Sequence, residues 1–143
     1  MISAQKIVVL GGGFVAAEIA EFIAEKGKEV TMIEMREVIA YDMEPNFRQM
    51  LMERLEKLKI KMITKTRVLE VTTKGVKGED IPGKKIQEFP ADAVVVALGA
   101  EPAEFPVEEL EKAGIEIHSI GDAKEIHGFA EATRDGFLVG ITI

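Results

Sequence analysis

Residues 6–34 constrain this chain more than any other stretch. An apolar run, Lys6-Ile7-Val8-Val9-Leu10, stops at three consecutive glycines, Gly11-Gly12-Gly13. A helical pattern rich in small residues follows over 14–26, closed by Gly27, and a second apolar run, Val30-Thr31-Met32-Ile33, ends on an acid, Glu34. A parallel strand covered on both faces must be apolar throughout, which both runs satisfy. A strand that leads through glycines into a helix and returns to a second strand is one β–α–β unit, with its crossover helix packed on the sheet.

Each residue type in this order has a physical task. Gly11 permits the tight turn out of the first strand, and Gly13, lacking a side chain, lets a diphosphate approach the backbone. Phe14 and Val15 open the helix, whose N-terminus offers free N–H groups and the positive end of the helix dipole. Ala16 stands where a third glycine is usual and is still small enough for close helix–strand contact. Glu34 lies 18 residues beyond Ala16, near the ~20 expected for an acid that accepts hydrogen bonds from a ribose hydroxyl. The pattern predicts a dinucleotide site at Gly11, Gly12, Gly13, Phe14, Val15, Ala16 and Glu34. Two other readings stay open: glycines that only turn the chain, and an S-adenosylmethionine-dependent methyltransferase, which also uses a glycine turn and an acid after the second strand.

Composition narrows the classes. The chain has 143 residues, no cysteine and a net charge of −7. That length suits a single domain with a sizeable core. Without cysteine there is no disulfide framework, thiolate nucleophile or thiolate metal site. This fits a cytoplasmic protein. No apolar stretch reaches the ~18–20 residues of a membrane span, and the acidic balance argues against nucleic-acid binding. The two histidines, His118 and His127, have no ligand-spaced partners for zinc. No catalytic constellation of a nucleophile and base is present.

Further along, 42–59 reads as a second helix with Pro45 in its first turn. Met43, Phe47, Met50, Leu51, Leu55 and Leu58 recur on one face. Residues 60–64 read as a third strand. Short runs over 67–72, 75–77 and 86–89, separated by Gly and Pro, predict an antiparallel meander of two or three strands. The run 93–98, Ala-Val-Val-Val-Ala-Leu, is the most apolar in the chain and predicts a central buried parallel strand. A short helix over 107–113, a strand over 115–120 and a last helix over 129–139 complete the chain. The fold class is therefore α/β: a Rossmann-type parallel sheet flanked by helices, with a short antiparallel β-meander.

Four motifs in order resemble a known family. Gly11-Gly12-Gly13-Phe14-Val15-Ala16-Ala17-Glu18, Glu34, Ala97-Leu98-Gly99-Ala100-Glu101-Pro102 and Ile120-Gly121-Asp122-Ala123 together resemble the nucleotide-binding part of flavoprotein pyridine-nucleotide oxidoreductases of the disulfide-reductase type. The stretches 30–44 and 120–136 are most similar to the C-terminal region of 2-enoate reductase and 2,4-dienoyl-CoA reductase. The resemblance implies that NAD(P)H binds on the glycine turn and passes hydride to a flavin in a neighbouring domain. It implies that Glu18 lies near the nicotinamide end and that Gly99 passes beside the cofactor. It also implies that Gly121 and Asp122 belong to an FAD-facing segment, with Asp122 near the ribitol and phosphate. Read so, 1–143 is one dinucleotide-binding domain with a nicotinamide-binding core over 5–100, and 115–143 resembles the closing segment of an FAD-binding domain.

The departures from that family matter equally. An earlier FAD-binding segment, the redox cysteine pair, the iron–sulfur cysteines and an FMN barrel have no counterpart here, so FAD is expected only if the rest of its domain is supplied. The simplest expectation is a fragment of a larger enzyme, with a subunit that docks to a flavin-bearing partner as the alternative. A non-catalytic nucleotide-binding module is the second functional reading. The strand 115–120 is expected to add to the sheet beside 94–98 or to be completed by a second copy in a homodimer. For the cofactor, Glu34 favours NAD(H), while Arg36, beside Met35 just past the acid, favours NADP(H); the resemblance adds Ala16 on that side, since alanine in place of the third glycine is also seen in some phosphate-tolerant members of the family.

Overall fold

The first strand, β1 (Lys6–Leu10), is the organising element of the structure, a computed structural model that describes residues 3–102 and 105–143. The backbone divides into two compact units, Met1–Gly99 and Ala100–Ile143.

In the first unit β1 pairs in parallel with β2 (Glu29–Ile33) on one side and with β7 (Ala93–Val96) on the other, and β3 (Lys61–Ile63) extends the sheet beyond β2. Ile7, Val8, Val9 and Leu10 are all buried, so both faces of β1 are covered. One cover is helical. Helix α1 (Phe14–Glu25) presents Ala16, Ala17, Ala20 and Ala24, whose single methyl groups let the helix lie close against β1 and β2. Gly27 ends it in the left-handed region, at φ +76°. Helix α2 (Pro45–Lys57) adds Leu51 and Leu55, both fully buried. Its N-terminus is capped by the Glu44 carboxylate, which accepts from the Asn46 and Phe47 amides at 3.0 and 3.3 Å. An Arg54–Glu21 ion pair at 2.6 Å joins the two helices.

The opposite cover is the meander β4 (Thr66–Thr72), β5 (Gly75–Asp80) and β6 (Lys85–Pro90), an antiparallel sheet in that order. Val76 packs with Val8, Leu10 and Ile33, backed by Val68 and Phe89, to form a second apolar cluster beneath β1. The unit is thus helices, parallel sheet and meander in three layers. Asp92 joins the starts of β1 and β7 by accepting from the Lys6 and Gln5 amides at 2.8 and 2.9 Å. Those two N–H groups hold its carboxyl below the ordinary carboxylate range.

Three expectations are corrected here. The 93–98 run is an edge strand: among the described residues β7 pairs only with β1, and Val96 and Leu98 are 66% and 67% exposed. An unbroken apolar run reports that both faces are suited to burial, and says nothing of whether both edges are paired. On α2, Met50 is 59% exposed because it lies 100° around the helix from Leu51, which faces the core, and Phe47 in the first turn is 66% exposed. The helix also begins at Pro45 rather than at 42.

In the second unit α3 (Val107–Lys112) is followed by residues that form no strand over 115–120, with Ile115 and Ile120 exposed. The expected added strand is therefore corrected. Alternating apolar residues make a strand only where a neighbour supplies the other half of the hydrogen-bond ladder. A single 3-10 turn, Gly121–Ala123, then leads to α4 (Phe129–Gly140), which has no buried residue.

Candidate functional site

The site is built where β1 and β2 end. Because β1, β2 and β7 are parallel, Gly11, Glu34 and the exit of β7 all lie at the carboxyl edge of the sheet, the edge at which open α/β sheets bind ligands. Gly11 has φ +110°, and a β-carbon there would stand 2.2 Å from the Ala97 carbonyl oxygen. Its own N–H donates to the Ile33 carbonyl at 2.9 Å. Only glycine fits that bend. Gly12 is pressed directly against the acid: a β-carbon on it would be 2.7 Å from both Cβ and Cγ of Glu34 and 2.8 Å from Ile39 Cδ1. The glycine turn and Glu34 are therefore immediate neighbours.

Glu34 is held by three bonds. Its N–H donates to the Ile63 carbonyl at 2.8 Å, its carbonyl accepts from Thr66 N–H at 2.9 Å, and its Oε1 accepts from Arg36 N–H at 2.6 Å. The residue is only 8% exposed. Oε2 has no partner among the described residues, and none of their side-chain polar atoms is both sealed and unpaired. The N–H groups of Gly13 and Val15 likewise find no acceptor among the described residues. Gly13 is the N-cap of α1 with no side-chain bond of its own.

Other residues singled out by sequence fall into three groups. Phe14, Val15 and Ala16 form the first turn of α1, with Ala16 buried and Val15 62% exposed. Glu18 projects from the same helix into solvent. Met35 is exposed, and the Arg36 guanidinium lies over the Tyr41 ring at 3.7 Å. Gly99, φ +114°, follows β7 with open space around it. Gly121 and Asp122 lie in the second unit, where Gly121 is buried at φ +55° and Asp122 Oδ1 accepts from His127 N–H at 3.3 Å. His118, expected on a strand, instead meets Glu116 at 2.9 Å outside any strand. Among the described residues no three His, Cys, Asp or Glu side chains are grouped to hold a metal.

Sequence reasoning missed the loop between β2 and α2. Ile39 and Ala40 are buried, Ala40 N–H donates to the Gly12 carbonyl, and Arg48 Nε donates to the Ile39 carbonyl at 2.7 Å. This seats Asp42 at the head of α1, where its Oδ1 accepts from Phe14 N–H at 2.8 Å. A signal was present. Pro45 belongs at the first helical position, which makes Glu44 the cap of α2 and frees Asp42 for another partner.

A family model described as pyridine nucleotide-disulphide oxidoreductase matches residues 2–127. The chain belongs to that family. Relatives include the bilirubin reductase of Mediterraneibacter gnavus, 38% identical over 134 residues, and the NADH oxidase of Thermoanaerobacter brockii, 39% identical over 137. These alignments cover 93% and 94% of the chain and 21% of each relative. Among solved structures, a 2-naphthoyl-CoA reductase bound to 2-naphthoyl-CoA matches with a TM-score of 0.78 and 33% identity, over 97% of this chain and 21% of that one. The chain thus spans about a fifth of the length of these members of the pyridine nucleotide-disulphide oxidoreductase family. Among the described residues no helix is long and apolar enough to cross a membrane.

Proposed function

We propose that this chain binds a reduced nicotinamide dinucleotide at the carboxyl edge of β1 and β2 and positions it for hydride transfer to a flavin held elsewhere. The observation that carries the reading is the packing of Gly12 against Glu34, at a sheet edge where the Gly13 and Val15 amides and Glu34 Oε2 have no partner among the described residues. A diphosphate takes the Gly13 and Val15 N–H groups and the helix dipole. The adjoining ribose donates to Glu34 Oε2. Val15 and Ala16 form the floor of this turn, Glu18 and Gly99 lie toward the nicotinamide end, and Met35 flanks the adenosine.

The cofactor we favour is NAD(H). Oε2 is an acceptor with no donor beside it, so a 2′-phosphate would meet like charge. Arg36, the group that would compensate, is held over Tyr41. Gly121 and Asp122 would face FAD only with the remainder of a flavin domain present. The partner implied is a flavin-bearing domain or subunit, in the cytoplasm. A non-catalytic binding module remains the second reading, since the same amides and acid serve either.

Titration of the chain with NADH, NADPH, FAD and S-adenosylmethionine tests the proposal. Saturable binding of NADH, weaker binding of NADPH and none of the other two is expected. Binding of S-adenosylmethionine in place of NADH would transfer the site to methyl-group chemistry.

A further inference from the structure

Gly13 leaves a notch at the head of α1, and the notch is already taken. The atom nearest to a β-carbon placed on Gly13 is Asp42 Oδ2, at 3.2 Å, with the Tyr41 hydroxyl next at 3.7 Å. The other carboxylate oxygen, Oδ1, accepts from Phe14 N–H at 2.8 Å. A carboxylate therefore sits on the Phe14 amide, between the Gly13 and Val15 amides that the proposed reading gives to a diphosphate. A negative group at a helix N-terminus is stabilised there by the dipole and by the unpaired N–H groups, and these are the interactions a phosphate uses.

The seat of Asp42 is built by the fold. Ile39 and Ala40 are buried against the glycine turn, Ala40 N–H bonds to the Gly12 carbonyl, and Arg48 fixes the Ile39 carbonyl from α2. Ala40 holds φ +51°, a left-handed conformation that alanine rarely adopts. The strain lies two residues before Asp42 and turns the loop back onto the glycines. None of the ion pairs among the described residues includes Asp42. Its carboxylate is directed at the turn, Oδ1 onto the Phe14 amide and Oδ2 toward Gly13.

We propose that Asp42 is an internal anion that competes with the cofactor diphosphate for the head of α1 and thereby sets how tightly the dinucleotide binds. The inference rests on the dinucleotide reading above. A diphosphate that arrives must displace the carboxylate from Phe14 N–H or settle beside it against like charge. In either case the Asp42 charge weakens binding, and it does so only for ligands that carry phosphate.

The test compares the full wild-type chain with Asp42→Asn, whose amide oxygen still accepts from Phe14 N–H but carries no charge. Asp42→Ser, another small acceptor, serves if the first variant is poorly folded. NADH and adenosine are titrated into each at low salt. The expected result is about five- to tenfold tighter NADH binding in the uncharged variant, adenosine affinity unchanged, and a difference that shrinks as salt screens the charge. Equal or weaker NADH binding by the variant would overturn the inference and assign Asp42 a purely structural cap. A parallel gain for adenosine would overturn it too, since adenosine has no phosphate to repel. If neither chain binds NADH, the dinucleotide reading itself falls, and this inference with it.

Discussion

Gly11→Ala should be among the most damaging single-methyl changes available in this chain. Two separate penalties meet at that position. A residue with a side chain is strained at φ +110°, by about 1–3 kcal/mol. The new methyl would also stand 2.2 Å from the Ala97 carbonyl oxygen, a backbone atom that can yield only if β7 shifts away from β1. Together they should destabilise the protein by roughly 3–5 kcal/mol, a large share of the ~5–15 kcal/mol of a typical domain. Gly99→Ala supplies the internal comparison. Its φ is nearly the same, +114°, yet nothing lies within 4 Å of the new carbon. Only the strain applies, so about 1–3 kcal/mol is expected. Urea unfolding of both variants measures the difference. Equal losses would show that the contact with Ala97 does not hold the glycine turn in place.

Glu34→Ala should have the largest effect on ligand choice. Its backbone bonds to Ile63 and Thr66 do not involve the side chain, so the sheet edge is retained. What disappears is Oε2, the acceptor proposed for a ribose hydroxyl, and the negative charge that would repel a 2′-phosphate. A hydrogen bond to a charged group contributes about 1.5–3 kcal/mol, so NADH should bind about tenfold to hundredfold more weakly. NADPH should lose much less, because it loses a repulsion as well. The NADH preference therefore collapses or reverses. Competitive titration of the two reduced cofactors reads this directly. An unchanged ratio would mean that the Glu34 side chain does not contact the sugar.

Much of this was visible in the residues. The apolar runs of β1 and β2, the alanine stripe of α1 and the stop at Gly27 define one β–α–β unit with little ambiguity, because local periodicity and helix-ending chemistry agree there. The same holds for the meander, where Gly and Pro punctuate short strands. Legibility failed wherever a residue's role depends on a distant partner. The 93–98 run looks the same whether its strand is central or at an edge, since side chains report faces and not edges. Residues 115–120 alternate like a strand but find no ladder. Asp42 reads as the start of α2, yet it reaches back 28 residues to the amide of Phe14. A bond of that span leaves no periodic trace. The candidate site was thus legible as a turn and an acid. The carboxylate already seated in it was not.

In the proposed site the bend after β1 takes up a diphosphate while Glu34 holds the next sugar. Amide spectra of the 143-residue chain, recorded as NADH is added, test this arrangement most directly. The largest saturable shifts are expected on Gly13, Phe14 and Val15 and on the Glu34–Arg36 corner. The arrangement is contradicted if those amides stay still at millimolar NADH, or if saturable shifts gather on some other part of the chain.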